Sequence, residues 1–203
     1  MAAATADGLG DGLQVGADGL VRCWWPGSDP LYLAYHDEEW GRPVSDERAM
    51  FEMLVLESFQ AGLSWLTVLR RREGFRAAFD NFDAAAVAGY GTRHVDRLLG
   101  DERIIRNRAK IEATIGNAQA VLRLHEEGSS LVTLFGSIVP DPGSAPPAPR
   151  RIADVPAATP ASRALARELK SRGFRFLGPT VLYAHMQATG VVNDHLVGCA
   201  FRA

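Results

Sequence analysis

Two pairs of potential metal ligands stand near opposite ends of the chain. In the first pair, twelve residues separate Cys23 from His36. In the second, His195 and Cys199 are four positions apart, a spacing that would place both side chains on one face of a helix. Two thiolates and two imidazoles make a closed tetrahedral set that suits one structural Zn²⁺ ion and leaves no position for a reactive water. The pattern predicts a zinc site that joins the chain ends, although a Cys23–Cys199 disulfide or two buried free thiols would fit the same residues.

The composition is that of a globular protein. The 203 residues are 47% hydrophobic, which is enough for one domain with a substantial core. No run of about 18 apolar residues occurs, so we expect no membrane span, and the N-terminus lacks the basic and apolar regions of a secretory signal. Two cysteines are too few for a disulfide scaffold, which favours a reducing cytoplasm.

The charge is unevenly distributed. The net charge of −2 argues weakly against a nucleic-acid-binding protein, but residues 1–20 contain three Asp and no Lys or Arg, so the remainder carries +1. Basic residues cluster within 70–72, 103–110 and 163–175. Such clusters can form a local basic surface, although each could also be an ordinary solvated helix face.

The hydrophobic pattern predicts an all-α protein. Residues 1–20 are rich in Gly, Ala and Asp without an apolar period, so we expect a disordered extension. Asp29 and Ser45 are candidate N-caps for the first two helices. Residues 138–158 hold six of the eleven prolines and predict an exposed loop. Helices are expected within residues 28–41, 45–62, 64–79, 94–100, 104–128, 159–173 and 179–190.

A carboxylate lies among apolar residues in the second predicted helix. Glu57 shares a helical stripe with Met50, Met53 and Leu54. Burying a carboxylate is costly unless it meets hydrogen-bond donors or a cation. One interpretation is a Glu bonded to backbone N–H groups or to an Arg, and the other is a ligand-binding carboxylate in a pocket.

Aromatic residues around this position favour a pocket. Five of them lie within seventeen residues, and a sixth follows Glu57 closely. Flat rings beside a carboxylate suit a flat, cationic or amine-bearing ligand, and clustered Arg residues suggest that this ligand is a damaged base extruded from DNA. Ordinary core packing stays an alternative for Trp24 and Trp40. The six residues are Trp24, Trp25, Tyr32, Tyr35, Trp40 and Trp65.

Several long motifs resemble those of the bacterial DNA-3-methyladenine glycosylase I family. They are "CWW", "DPLYLAYHDEEWG", "FEMLVLESFQAGLSW", "RIIRNRAKI" and "GVVNDHLVGC", in that order from about Arg22 to Cys199. The resemblance implies an all-α fold of the helix-hairpin-helix DNA glycosylase superfamily over residues 21–203. It further implies two helical lobes around a base-binding cleft and a monomeric protein. In the hairpin that we expect to contact DNA, Arg103 and Ala109 occupy positions where relatives often carry glycine, so the backbone contacts there can differ from those of relatives.

The resemblance also assigns roles to individual residues. It implies that Glu57 and Tyr35 are the catalytic pair that holds the base, with the Glu57 carboxylate accepting from the adenine N6/N7 edge. Trp65 would stack on the base, and Leu63 would fill the gap left by the flipped nucleotide, where Gly62 lets the turn approach the strand closely. Trp25 and Tyr32 would bind the substrate beside them. One zinc ion would be held by Cys23, His36, His195 and Cys199.

The implied reaction is the excision of 3-methyladenine from double-stranded alkylated DNA, by hydrolysis of the N-glycosidic bond, to leave an abasic site. The methylated base is cationic and leaves readily, so we assign no general base, and we interpret Asp194 as a helix cap. The only lysines, Lys110 and Lys170, occupy no evident nucleophile position, which predicts a monofunctional enzyme without strand-nicking activity. The alternatives are a non-catalytic zinc-stapled nucleic-acid-binding module and a glycosylase for another alkylated base.

Overall fold

The computed structural model describes residues 9–139 and 146–202, and this part of the chain is mainly α-helical. No helix in these two ranges is both long enough and apolar enough to cross a membrane. Two short strands precede ten α-helices, and 3₁₀ turns occur at Asp80–Phe82 and Ile152–Asp154. The elements are β1 (Leu13–Val15), β2 (Val21–Cys23), α1 (Pro30–Glu38), α2 (Glu47–Gln60), α3 (Trp65–Leu69), α4 (Arg72–Ala78), α5 (Ala84–Ala88), α6 (Thr92–Gly100), α7 (Arg108–Glu126), α8 (Leu131–Gly136), α9 (Pro160–Ser171) and α10 (Pro179–Ala188).

Helix α2 is the centre of the fold. Every residue from Met50 to Phe59 is buried, so the helix is covered on all sides rather than on one stripe. It contacts α3, α7, α8 and α10, while α5 packs on α7 and α9 packs on α10. One continuous apolar core extends from Tyr35 to Val191 through these helices. Any polar group on the inner part of α2 is therefore held in a dry, rigid setting.

The helix boundaries follow capping chemistry. Asp29 caps α1 as predicted, with Oδ1 accepting from the backbone N–H of Leu31 at 3.0 Å, and Pro30 begins the helix. The cap of α2 is Asp46 rather than Ser45, since the Asp46 carboxylate accepts from Ala49 N–H at 2.8 Å. These two caps fix the starts of α1 and α2, which carry the predicted pocket residues Tyr32, Tyr35 and Glu57.

Two stretches predicted to be helical are not. Residues 104–107 belong to the turn between α6 and α7, because Asn107 caps α7 through a bond from the Lys110 backbone N–H at 3.2 Å. His195 and Cys199 lie in a non-helical segment after α10, so the prediction that they share a helical face was wrong. A turn with Cys199 N–H donating to the Leu196 carbonyl at 2.9 Å brings them together instead.

The predicted disorder of residues 1–20 was also wrong for the part that the structure describes. Residues 1–8 lie outside it, but β1 and β2 form an antiparallel hairpin in which Leu13 pairs with Cys23. The Gly- and Asp-rich composition reflects its tight turn, where Gly19 adopts φ +79°. The strands are too short to show an alternating pattern, which is why sequence analysis found none. The Ala200 N–H donates to the Val21 carbonyl at 2.8 Å and joins the hairpin to the C-terminal segment.

Within the predicted loop 138–158, residues 140–145 lie outside the described part. Most of the remaining residues are exposed, and a few contacts attach the loop to the body of the protein. The Pro149 carbonyl accepts from Val197 N–H at 2.8 Å, and Val155 reaches the cavity described below.

Candidate active site and metal centre

A cavity of about 250 Å³ lies where α1, α2, α3 and α10 meet. Five of the six predicted pocket residues line it: Trp25, Tyr32, Tyr35, Glu57 and Trp65. Its size and its aromatic lining suit one flat ring system with a few polar groups. The full lining set is Trp24, Trp25, Tyr32, Tyr35, Trp40, Glu57, Gln60, Trp65, Val155, Ala184, Gln187 and Asp194.

Glu57 is a buried carboxylate without a partner. It is 4% exposed, and Oε2 is fully enclosed and makes no hydrogen bond among the described residues. The interpretation in which backbone N–H groups or an Arg satisfy this carboxylate is therefore not what the structure shows. Burial raises the pKa of Glu57 to about 8, because the low-dielectric surroundings disfavour the charged form.

Aromatic rings enclose the space next to this carboxylate. The ring centroids of Trp25 and Tyr32 are 5.0 Å apart, and those of Tyr35 and Trp65 are 5.3 Å apart. The indole N–H of Trp65 is buried and also has no partner among the described residues. Burial, followed by the charge of Glu57, raises the pKa of Tyr35 well above its usual value, so its hydroxyl stays protonated and can donate a hydrogen bond.

Leu63 lies outside the cavity, on the turn between α2 and α3. Its side chain is 42% exposed, and the other residues of the 61–64 turn are exposed as well. Gly62 has φ +86°, a conformation that favours glycine, and the space where a Cβ would stand is open. The turn thus projects an apolar side chain into solvent next to the cavity that Glu57 and Trp65 line.

Three polar residues of the cavity were not singled out as pocket residues: Gln60, Gln187 and Asp194. The interpretation of Asp194 as a cap was wrong, because no helix follows it and its carboxylate accepts from Tyr183 Oη and from Gln187 Nε2, the latter at 2.8 Å. The neighbouring Asn193 instead accepts from His195 N–H at 3.2 Å. The sequence offered one signal, since Asp194 adjoins the ligand residue His195.

The four predicted metal ligands are brought together at the edge of the cavity. All are buried, and their ligand atoms lie within 4.8 Å of one another. Both cysteines are free thiols, so the disulfide alternative does not hold. The Sγ–N distances are 3.8 Å for Cys23–His195, 3.7 Å for Cys199–His36 and 3.4 Å for Cys199–His195. A tetrahedral Zn²⁺ with ordinary bond lengths would separate S and N ligands by about 3.6 Å.

The remaining ring nitrogens fix which atom of each histidine can bind a metal. His36 Nδ1 donates to Asp37 Oδ1 at 2.7 Å, leaving Nε2 directed at the thiols. His195 Nε2 donates to the Trp40 carbonyl at 3.0 Å, leaving Nδ1 directed at them. Partners of this kind orient the ligands of metal sites. A hydrogen bond from Cys23, followed by the histidines, lowers the pKa of the Cys199 thiol, and the same bond raises the pKa of Cys23. The two thiols thus share one proton, which a bound metal would displace.

The predicted basic clusters differ in how far acids neutralise them. Arg70 pairs with Asp29 at 2.6 Å, and Arg103 pairs with Asp101 at 2.8 Å. In contrast, the α9–α10 hairpin presents a groove that no acidic side chain lines, with Phe176 46% exposed at its tip. Its cations form no ion pair among the described residues; they are Arg163, Arg167, Lys170 and Arg175.

Comparisons with known proteins agree with this site. The family described as methyladenine glycosylase matches residues 25–203. DNA-3-methyladenine glycosylase 1 of Escherichia coli (strain K12) is 49% identical over 180 residues, which cover 89% of this chain and 96% of that protein. DNA-3-methyladenine glycosylase of Haemophilus influenzae is 42% identical over 179 residues, or 88% of this chain and 96% of that protein.

Solved structures show the same relationship. A crystal structure of 3-methyladenine DNA glycosylase I aligns with a TM-score of 0.85 at 47% identity, over 90% of this chain and all of that one. A variant of such an enzyme in complex with 3-methyladenine aligns with a TM-score of 0.84 at 33% identity, over 90% of this chain and 97% of that one. A buried carboxylate among aromatic rings therefore occurs here on a scaffold shared with these enzymes, and the chain belongs to the methyladenine glycosylase family.

Proposed function

We propose that the cavity around Glu57 binds 3-methyladenine flipped out of alkylated DNA, and that the enzyme hydrolyses its N-glycosidic bond to leave an abasic site. The protein acts in DNA repair as a hydrolase of N-glycosyl bonds. The observation that carries the proposal is the buried, unpartnered carboxylate of Glu57 within a wall of aromatic rings. Such a group is unfavourable in the empty site and needs a ligand that supplies positive charge and N–H donors.

The chemistry of the lesion explains the selectivity. The 3-methylated adenine is cationic while attached to the sugar, so it is a good leaving group and needs little acid assistance. A cation in the cavity favours the ionised form of Glu57, whereas neutral adenine cannot offset the cost of burying that charge. The positive charge passes from the base to the sugar as the bond breaks, and the difference in binding between the base and the transition state then provides most of the selectivity.

Each wall of the cavity has a proposed role. Glu57 accepts a hydrogen bond from the N6 amino group on the N6/N7 edge of the base, and the protonated hydroxyl of Tyr35 helps hold the base. The face of Trp65 stacks on the purine, with Trp25 and Tyr32 completing the enclosure. The support for these roles is that all five side chains line one cavity.

A monofunctional mechanism fits the location of the two lysines. Lys110 is buried and donates to backbone carbonyls, while Lys170 is exposed on α9. Neither lines the cavity, so neither is placed to attack the sugar. We assign no general base, and we expect no strand-nicking activity.

We further propose that the α9–α10 hairpin is the helix-hairpin-helix element that binds the DNA backbone. Its groove has four cations and no acidic lining, as binding to phosphates requires. Leu63, exposed beside the cavity, is the candidate to fill the space vacated by the flipped nucleotide. We also expect a monomer that acts in the cytoplasm.

The metal site is proposed to hold one structural Zn²⁺ ion. The two thiols and two imidazoles fit zinc by donor type, spacing and ring orientation. A closed four-ligand set supplies folding stability rather than a reactive water. His36 lies on α1 next to Tyr35, so the site anchors one wall of the cavity.

The proposed activity is tested by incubating the protein with methylated duplex DNA and separating the released bases. We expect free 3-methyladenine from the wild type, and a loss of about a hundredfold or more in Glu57→Gln because an electrostatic contact made in the transition state is removed. Zinc content should be equal in both proteins. Release of 7-methylguanine alone would indicate another lesion, and binding without release of any base would indicate a non-catalytic module.

A further inference from the structure

The ammonium group of Lys110 is buried without an acidic partner. The residue is 7% exposed, and its Nζ donates to the Phe59 carbonyl at 3.0 Å and to the Ala61 carbonyl at 2.9 Å. The same nitrogen lies 5.9 Å from the centroid of the Phe59 ring. Burial lowers the pKa of this lysine, which shows that the position is unfavourable for a charge in itself. Keeping a cation here therefore calls for a reason.

The two carbonyls belong to the C-terminal end of α2. Helix ends leave carbonyls without intrahelical partners, and a cation is favoured there by the helix dipole. The residues around these carbonyls are functional ones: Glu57 lies just before them, and Leu63 and Trp65 follow. Lys110 thus binds the C-terminal end of α2. Glu57 lies on this helix just before the bound carbonyls, and Leu63 lies on the turn just after them.

The turn has few other restraints. The backbone N–H of Leu63 donates to the Gln60 carbonyl at 2.7 Å, and Ser64 caps α3 through a 3.2 Å bond from Thr67 N–H. Nothing lies within 4 Å of the position where a Cβ of Gly62 would stand. An apolar side chain that enters a stack of bases is pushed back by it, so its turn has to be held from inside the protein.

We propose that Lys110 is a positioning residue for the reaction on DNA: it clamps the C-terminal end of α2, so that the 61–64 turn holds Leu63 in the position from which it enters the duplex. This inference rests on the proposed function, because it assigns Lys110 to the base-flipping step. Lys110 contacts neither the base nor a phosphate, and it acts only through the 61–64 turn.

The test compares Lys110→Met, which keeps the length of the side chain but donates no hydrogen bond, with Leu63→Ala and with the double variant. We expect kcat/KM for 3-methyladenine release from duplex DNA to fall between about tenfold and about a hundredfold in Lys110→Met, as for other small misplacements near a reactive site. In the Leu63→Ala background the same change should cost less than about twofold, because residues that act through one step are not additive. The affinity for free 3-methyladenine, followed by tryptophan fluorescence, should stay within about threefold, because no cavity residue is altered.

Three comparisons separate positioning from a general loss of stability. Lys110→Arg, whose guanidinium can donate to both carbonyls, should recover most of the activity. Arg48→Met, which removes an exposed cation at the other end of α2, should leave activity unchanged. The dependence of binding to undamaged duplex on salt should match the wild type, whereas loss of a phosphate contact would lower its slope by about 1. Should Lys110→Met not fold, Lys110→Gln takes its place in every arm.

Outcomes that overturn the inference differ from those that overturn the function. Multiplicative losses in the double variant, weakened binding of free base in parallel with activity, or a lowered salt slope would each exclude this role for Lys110 while the wild type stays active. A wild type that releases no methylated base would instead overturn the proposed function, and this inference with it.

Discussion

At the scale of single residues, the protein depends on side chains that are unfavourable in isolation. Glu57 places a carboxylate in a dry cavity, and Lys110 places an ammonium under a helix end. Residues that cost stability are often found where a protein's function requires them, because stability and activity can conflict at functional sites. Glu57 lies on α2, and Lys110 contacts the C-terminal end of α2. Both unfavourable buried groups are therefore associated with the central helix of the fold.

The free energy of unfolding should depend on pH because the Glu57 carboxyl group is buried. Because its pKa rises from 4.5 to about 8 on folding, the folded state binds a proton more tightly than the unfolded state between these values. The stabilising effect of this proton is complete below about pH 4.5 and is lost as the pH rises through about 8. The free energy of unfolding of the wild type should thus fall relative to Glu57→Gln by about 1.4 kcal/mol per pH unit in this window.

Urea denaturation of both proteins at pH 5 and pH 7.5 measures this difference, which should grow by about 3 kcal/mol in favour of Glu57→Gln. Glu126→Gln, at an exposed position late in α7, is the control and should show no such growth. An equal difference at both pH values would mean that Glu57 is not buried in an apolar setting.

At the scale of elements, the α9–α10 hairpin differs from the other basic segments because the four cations of its groove form no ion pair among the described residues, although Arg172 pairs with Glu127 and Glu168. Arg103 occupies a position where relatives often have glycine, and its guanidinium is paired with Asp101. The extra cation therefore adds little free charge to the α6–α7 turn. The groove of the α9–α10 hairpin instead keeps four cations available for a polyanion.

Neutralising this groove should weaken DNA binding through its salt dependence. For duplex DNA, each phosphate contact contributes about 0.9 to the slope of log affinity against log salt. Arg167→Ala and Lys170→Ala should each reduce the slope by about 1 for damaged and undamaged DNA alike, while Arg48→Ala should not. Fluorescence anisotropy over a salt series measures it. Unchanged slopes in both groove variants would place the DNA backbone elsewhere.

At the scale of the whole molecule, the proposed metal site connects the N-terminal hairpin to the C-terminal segment of the described residues. Cys23 ends the N-terminal hairpin, His36 lies on α1, and His195 and Cys199 come from the C-terminal segment. Leu13 of the hairpin packs on the small apolar cluster formed with Leu196. Arg22 joins the hairpin to the site, because it bonds Asp37, the carboxylate that orients His36.

Removal of the metal should therefore destabilise the protein as a whole. We expect one zinc per chain by elemental analysis. Its removal by a chelator, or a Cys199→Ser substitution, should lower Tm by at least about 10 °C, equivalent to about 4 kcal/mol for a chain of this size. Differential scanning calorimetry with matched zinc analysis measures both quantities. A zinc-free protein with an unchanged Tm would exclude a stabilising zinc site at these four residues.

Much of this protein can be predicted from local sequence signals. The caps at Asp29 and Thr159 and the apolar periods predict the helices, since these signals act within a few residues. The ligand quartet was also identified from the sequence, because its residue types are rare in this chain. The individual strands β1 and β2 could not be predicted, because three-residue strands show no alternation and gain their stability from distant contacts.

The sequence by itself determined the helical class and identified four candidate metal ligands and a carboxylate among apolar residues, because these depend on residue type and on spacing within a segment. Only the tertiary structure decided that Glu57 has no partner, that Asp194 faces the same cavity, and that Lys110 lies beneath the end of α2. Those facts depend on which side chains distant segments bring together. Whether a buried charge is paired is decided by such contacts, and local spacing carries no information about them.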